Sequence, residues 1–284
     1  MRWEDGRRSD NVEDRRGSTV SRGMVGGGVG TVIMVLVAMY FGVDPSVLLN
    51  MASTGTNRPA VMNTAVRPAG ENKMADFVSV VLADTEDTWR DLFKKGGKNY
   101  KEPKLVMFTG AVQSACGMAD AAVGPFYCPG DQKVYIDLAF YQELKNRFRA
   151  PGDFAQAYVI AHEVGHHVQN LLGISKKVQE ARSRATEKEG NRLSVRLELQ
   201  ADCFAGVWAN HADKARHILE SGDVEEALNA ASAIGDDRLQ RSTQGTVVPD
   251  AFTHGTSEQR VRWFNNGLTT GDINQCNTFS AKQL

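Results

Sequence analysis

The chain has 284 residues, which is enough for one sizeable core or for one domain with an appendage. Its 42% hydrophobic and 24% charged residues, with 27 Gly and 8 Pro, lie in the ordinary globular range and exclude collagen-like and wholly disordered chains. The formal net charge of -1 gives no electrostatic basis for nucleic-acid binding, which requires a clustered basic face, so we expect no nucleic-acid partner.

Near the N-terminus, a 21-residue run without a charge predicts a transmembrane helix over residues 23–43. Six Arg lie in residues 1–22 but only Arg58 lies in residues 44–63, so the positive-inside rule predicts a cytoplasmic leader at residues 1–22. The rest of a single-pass protein of the inner (cytoplasmic) membrane would then be periplasmic or extracellular. A cleaved signal peptide is the alternative, but the run is long for one and no A-x-A site follows it.

The apolar run begins with two GxxxG spacings. This spacing permits close pairing of two helices in lipid, and hence a homodimer, although a Gly-rich helix start without dimerisation explains it equally well. Residues 44–72 are rich in small and polar residues and contain three Pro, which is typical of a flexible linker. We therefore expect the folded domain to occupy residues 73–284.

Within this domain, apolar spacing predicts an amphipathic helix from Lys73 to Lys95. Two β-prone runs, residues 104–109 and 133–138, predict a small antiparallel sheet. After Phe140 the pattern is helical, with helices predicted over residues 140–149, 153–172, 175–188, 191–213, 222–239 and 257–266. The predicted fold class is therefore α+β, with a small sheet and a mainly helical remainder.

Four cysteines in a domain outside the cytoplasm are expected to be oxidised. Cys116 and Cys128 flank a loop that contains Gly and Pro and form the easier local pair, which would leave Cys203 with Cys276. Spacing alone does not fix the connectivity, because four cysteines allow three pairings.

The strongest chemical signal is an HExxH motif formed by His162, Glu163 and His166 inside a predicted helix. Two histidines four residues apart lie about 40° apart around a helix and about 6 Å along it, so both imidazoles reach one metal ion. Glu163 lies beside that ion, where it can take a proton from water. A coincidental pattern on an amphipathic helix is the alternative, and the apolar residues before the motif count against it. His167 falls on a different face.

A catalytic zinc site keeps three protein ligands and one open position, so a third ligand is required. Glu198 and Asp202 form an ExxxD on one face of a later predicted helix, which matches a gluzincin arrangement. Glu198 is then the third ligand, and Asp202 accepts a hydrogen bond from the far nitrogen of a ligand histidine. Two solvated acids are the alternative, but their neighbours are too apolar for a solvent-facing surface. Together these motifs predict a zincin-like metallopeptidase domain.

Five segments carry a resemblance to a known family: MRWEDGRRSDNVEDRRG, ACGMADAAVGPFYCPGDQKVYIDLAF, HEVGHHVQ, ELQADCFAGVWA and HGTSEQRVRWFNNG. Over nearly the whole chain, they resemble the bacterial neutral zinc metallopeptidases. The resemblance implies a membrane-anchored HExxH zinc peptidase, with the two HExxH histidines, the HExxH Glu and the ExxxD Glu in the roles given above.

His254 precedes the last predicted helix on a Gly-containing loop, where it could donate a hydrogen bond to the oxyanion of the transition state. A structural histidine that caps the loop is the alternative, in which case Arg260 or a Tyr would be the donor.

The sequence therefore predicts a membrane-tethered peptidase that uses Zn²⁺ and cleaves a peptide or protein substrate, with Glu163 as general base and His254 as a second catalytic residue. The alternative from another class is a non-catalytic, zinc-stabilised interaction module of the cell envelope. Its zinc would have a fourth protein ligand, and Glu163 would be dispensable.

Overall fold

The computed structural model describes residues 1–17, 69–120, 124–244 and 246–284. Six short strands occur in this part of the chain: β1 (Val12–Asp14), β2 (Lys104–Phe108), β3 (Ala111–Ser114), β4 (Gly117–Asp120), β5 (Phe126–Cys128) and β6 (Lys133–Asp137). The α-helices there are α1 (Ala69–Lys95), α2 (Phe140–Asn146), α3 (Asp153–Leu171), α4 (Ile174–Arg182), α5 (Glu187–Arg216), α6 (Asp223–Ala233), α7 (Asp236–Gln244) and α8 (Ser257–Thr270).

The sheet contains four strands in the order β1-β2-β6-β5. β1 with β2 and β2 with β6 are parallel, and only β5 with β6 is antiparallel. The prediction of an antiparallel sheet was therefore wrong, although the mixture of a small sheet and many helices fits in part. The physical reason is that parallel neighbours need a long return connection. Residues 109–132 provide it, with the separate hairpin β3–β4 and the edge strand β5 inside them.

The N-terminal leader is part of the folded domain. Strand β1 extends the sheet through pairing of Val12 with Leu105, and Trp3 packs edge-on against Phe77 with 5.3 Å between ring centroids. The Arg8 guanidinium lies 2.6 Å from an Asp76 carboxylate oxygen on α1. Residues 1–16 thus belong to the same folded unit as residues 69–284.

This packing corrects the predicted topology. A single membrane crossing between the leader and the domain would put them on opposite sides of the membrane, yet they share one β-sheet. The single-pass arrangement with a cytoplasmic leader, and the localisation derived from it, are therefore wrong. None of the helices in the described ranges is long and apolar enough to cross a membrane. The transmembrane helix proposed for residues 23–43, the homodimer expected from it and most of the proposed linker lie outside those ranges.

Two disulfide bonds, Cys116–Cys128 and Cys203–Cys276, confirm the expected oxidation and resolve the open connectivity. The first joins the turn of the β3–β4 hairpin to strand β5. The second closes a sequence separation of 73 residues and ties α5 to the C-terminal region.

The long helices approach each other closely at glycines. A Cβ atom at Gly165 on α3 would lie 3.0 Å from the Ala201 carbonyl oxygen on α5. Cβ atoms at Gly206 and Gly267 would collide with the facing backbone between α5 and α8. Helices α3 and α8 thus both pack closely against α5, the helix that carries Glu198 and Asp202.

Two helix boundaries differ from those predicted from the sequence. Helix α5 begins after Thr186, whose side chain forms a capping box with Glu189. The helix predicted over residues 222–239 is divided into α6 and α7 near Gly235, where a Cβ atom would lie 2.5 Å from the Ser257 backbone nitrogen. The division places Asp236 at the start of α7, facing the loop that carries His254.

If the leader is part of the core, Trp3→Ala should lower the free energy of unfolding by about 3–5 kcal/mol, the usual range for removing a buried large aromatic side chain. Trp3 is only 7% exposed, so its removal leaves a cavity. Urea denaturation followed by circular dichroism measures this change. Arg2→Ala is the control, because Arg2 makes an exposed ion pair with Glu220 that should be worth less than about 1 kcal/mol. Equal stability of the two variants would refute the integrated leader.

Candidate functional site

The two histidines of the HExxH motif lie one turn apart on α3, with 4.8 Å between their ring centroids. The Nε2 atom of His162 is 3.2 Å from Glu198 Oε2, and that of His166 is 3.4 Å from Glu198 Oε1. One ligand atom from each residue can be chosen so that all three lie within 4.8 Å of one another. The three side chains predicted as metal ligands are therefore brought together, in a geometry that could hold one metal ion.

The Nδ1 atom of His162 is 2.9 Å from Asp202 Oδ1. A carboxylate only accepts, so Nδ1–H donates and Nε2 faces Glu198. Burial alone lowers the pKa of His162, but the charge of Asp202 and the hydrogen bonds to Asp202 and Glu198 outweigh burial and raise that pKa to about 10. The site thus strongly favours positive charge, which is what a cation site requires.

His166 has a different outer partner, which sequence reasoning missed. Its Nδ1 atom is 2.9 Å from Gln169 Oε1, and Gln169 Nε2 donates to the Leu197 carbonyl oxygen at 2.7 Å. Because that bond fixes the orientation of the amide, Oε1 accepts from His166 Nδ1–H. Gln169 is completely buried, and its position one turn after His166 was the available signal.

Asp202 is the centre of a buried polar network. Arg260 Nε and Nη2 both donate to it at 2.9 Å, and the Tyr158 hydroxyl lies 2.5 Å from Oδ1. Burial by itself raises the pKa of Asp202, but the charges of Arg260 and His162 lower it to about 2. Arg260 therefore binds this carboxylate through two nitrogen atoms. Tyr158 is a further partner of Asp202 that was not predicted from the sequence.

Glu163 is 8% exposed and lines the same cavity as the three converging side chains. Burial raises the pKa of its carboxyl group, while the charges of His162 and His166 partly offset that effect. A carboxyl group held in this way is suited to accept a proton and to release it again.

The cavity has a volume of about 1140 Å³ and is open to solvent on one side. Its lining combines aromatic side chains of β5 and of residues 140–148 with polar and charged side chains of α4. The lining includes Phe126, Tyr127, Phe140, Phe148, Lys176, Arg182, Ile234 and His254 in addition to the site residues. A space of this size accommodates several residues of an extended peptide.

His254 lies on this cavity but makes no hydrogen bond to the three converging side chains. Its Nδ1 atom is 3.1 Å from Asp236 Oδ1, and this hydrogen bond raises the pKa of His254. Asp236 Oδ2 accepts from the backbone amides of Thr253, His254 and Gly255 at 2.6–3.0 Å. Asp236 thus shapes the loop and orients the imidazole, a role that sequence reasoning missed because the residue was placed inside a longer helix.

Comparison with known proteins agrees with this geometry. The family model described as "Putative neutral zinc metallopeptidase" matches residues 1–279. The chain belongs to this family, as its sequence motifs indicated. The match includes the leader, in agreement with its packing into the domain.

Two relatives cover most of the chain, and both are named as uncharacterized proteins. YpfJ of Escherichia coli (strain K12) is 54% identical over 290 residues, which cover 98% of this chain and 99% of that protein. A protein of Mycobacterium tuberculosis (strain ATCC 25618 / H37Rv) is 39% identical over 262 residues, which cover 87% of this chain and 86% of the relative. No solved structure matches the chain.

Proposed function

We propose that this protein is a zinc-dependent peptidase and that His162, His166 and Glu198 hold its zinc ion. The observation that carries the proposal is the convergence of two imidazole Nε2 atoms and one carboxylate, with ligand atoms within 4.8 Å of one another. Two nitrogen ligands and one oxygen ligand suit zinc, and a set of three leaves one coordination position open. The family name supports the choice of metal.

When bound, zinc supplies Lewis-acid chemistry, because it polarises a carbonyl group and lowers the pKa of water. Glu163 accepts the proton of the attacking water and delivers it to the leaving amine. The raised pKa of its buried carboxyl group serves both transfers. No residue of the chain needs to form a covalent bond to the substrate.

The outer partners fix the ligand histidines in one tautomer. Asp202 accepts from Nδ1–H of His162, and Gln169 accepts from Nδ1–H of His166. Both Nε2 atoms are then directed at the metal position. Such partners commonly change metal affinity or activity by 10–100-fold when they are removed.

His254 is proposed as the donor to the oxyanion. Its Nδ1–H donates to Asp236, so Nε2–H is available to the oxyanion in the protonated ring, which the hydrogen bond to Asp236 favours by raising the pKa of His254. The side chain is 51% exposed at the cavity. Arg260 is the weaker candidate, because its guanidinium already binds Asp202 through two nitrogen atoms.

The alternative of a non-catalytic zinc module requires a fourth protein ligand. All four cysteines are paired in disulfides, so none of them offers a thiolate. Among the described residues, the group around His162 contains only His166 and Glu198 in addition. A three-ligand site on an open cavity therefore favours the peptidase over the module.

Glu163→Gln should bind about one zinc ion per chain, as the wild type does, and lose peptide hydrolysis by about 10²–10⁴-fold, the usual contribution of a general base. Zinc content is measured by mass spectrometry of the metal, and hydrolysis with a pool of quenched fluorescent peptides in the presence and absence of chelator. Glu143→Gln, an exposed change on the cavity rim, is the matched control. Equal turnover by Glu163→Gln would support the interaction module instead.

His254→Ala should lower kcat by about 10²–10³-fold, the range for the loss of one oxyanion donor, with little change in zinc content or Tm. His217→Asn is the control, because His217 lies outside the cavity lining and Asn tolerates its φ of 52°. A His254→Ala protein with reduced Tm but full kcat in its folded fraction would assign His254 to the loop scaffold.

A further inference from the structure

His167 follows the HExxH motif directly, yet the proposed chemistry does not use it. Its side chain is completely buried. Nε2 is 2.6 Å from the Lys101 carbonyl oxygen, and Nδ1 is 3.1 Å from the Tyr127 hydroxyl. Both ring nitrogens of His167 are therefore used in hydrogen bonds and do not face the proposed metal position.

The directions of both hydrogen bonds follow from the chemistry of the partners. A carbonyl oxygen only accepts, so Nε2–H donates to Lys101. Its two partners are both uncharged, and a completely buried imidazole among uncharged partners is neutral, so it carries one N–H, which Nε2 uses, and Nδ1 is an acceptor. The Tyr127 hydroxyl therefore donates its proton to His167.

The same hydroxyl accepts a hydrogen bond from Asn170 Nδ2 at 3.1 Å. His167 and Asn170 are one turn apart on α3, so this helix holds the hydroxyl group of Tyr127 from both sides. The Tyr127 ring also meets the His167 ring edge-on at 5.4 Å. These contacts form a tether between the HExxH helix and strand β5.

Strand β5 has only three residues, and within the described sheet it pairs with β6 alone. Tyr127 lines the same cavity as Glu163. Besides its pairing with β6, this short strand is held at the cavity by the disulfide at Cys128 and by the tether from α3.

We propose that His167 is a positioning residue that acts through the Tyr127 hydroxyl to hold strand β5 against Glu163. This inference rests on the proposed peptidase function. A general base must stay within hydrogen-bond reach of the proton that it takes, so a small shift of its neighbours lowers the rate of the chemical step. Loss of the tether should therefore reduce kcat and leave KM nearly unchanged.

The most selective change is Tyr127→Phe, which removes one oxygen atom and keeps the ring. It removes both hydrogen bonds of the hydroxyl group, each worth about two- to tenfold, so kcat should fall by about five- to 100-fold with wild-type zinc content and KM. His167→Gln should have a smaller effect, because it keeps a donor for Lys101, loses the imidazole acceptor and leaves the bond from Asn170 to Tyr127 in place. The double variant should be no slower than Tyr127→Phe alone, since loss of the hydroxyl group already removes its link to His167.

Tyr135→Phe is the matched control. It removes the hydroxyl group that bonds to Asp131 from the adjacent strand β6, which is not part of the tether. Its kcat should equal that of the wild type. The inference is overturned if Tyr127→Phe behaves like this control, if only KM changes, or if the two single effects multiply in the double variant.

Hydrogen exchange separates this inference from the proposed function. The amides of residues 126–128 should exchange faster in Tyr127→Phe than in wild type or Tyr135→Phe, whether or not a peptide is cleaved. A zinc-loaded wild type that hydrolyses no peptide would refute the peptidase and with it the effect on kcat. Unchanged exchange in Tyr127→Phe would refute the tether itself.

Discussion

The buried carboxylate of Asp202 is the constraint on which the site depends. It has no exposed surface, and it joins side chains from three helices: His162 and Tyr158 on α3 and Arg260 on α8 bind Asp202 on α5. Burial of a lone carboxylate costs several kcal/mol, so this arrangement is stable only when its partners are all in place. The three helices are therefore held in one relative position, and His162 is held with them.

The relative position of α3, α5 and α8 requires their backbones to approach one another closely. Gly165 permits contact between α3 and α5, and Gly206 and Gly267 permit contact between α5 and α8. Because α5 carries Glu198 one turn before Asp202, the same packing that buries the Asp202 carboxylate also turns Glu198 toward both imidazoles. The same helix contacts thus stabilise the fold and bring the three proposed metal ligands together.

Sequence analysis was successful where the signal was local. Two histidines four residues apart, and an acid pair on a later helix, indicated residues that the structure brings together. Gln169 and Asp236 were missed because their roles depend on amide orientation and on a helix break rather than on spacing. The predicted membrane topology was wrong because it was inferred from the uncharged run and the arginine count near the N-terminus. Pairing of the leader strand with β2 is a nonlocal contact that composition does not reveal.

The most direct test of the central claim is anomalous diffraction at the zinc edge from crystals of the zinc-loaded protein. One strong peak is expected about 2.0–2.2 Å from Nε2 of His162, Nε2 of His166 and a carboxylate oxygen of Glu198. A second group of acids in the described part of the chain, Asp153, Asp223 and Glu226, also has converging oxygen atoms. A peak only at that group, with none between the two histidines, would contradict the assignment.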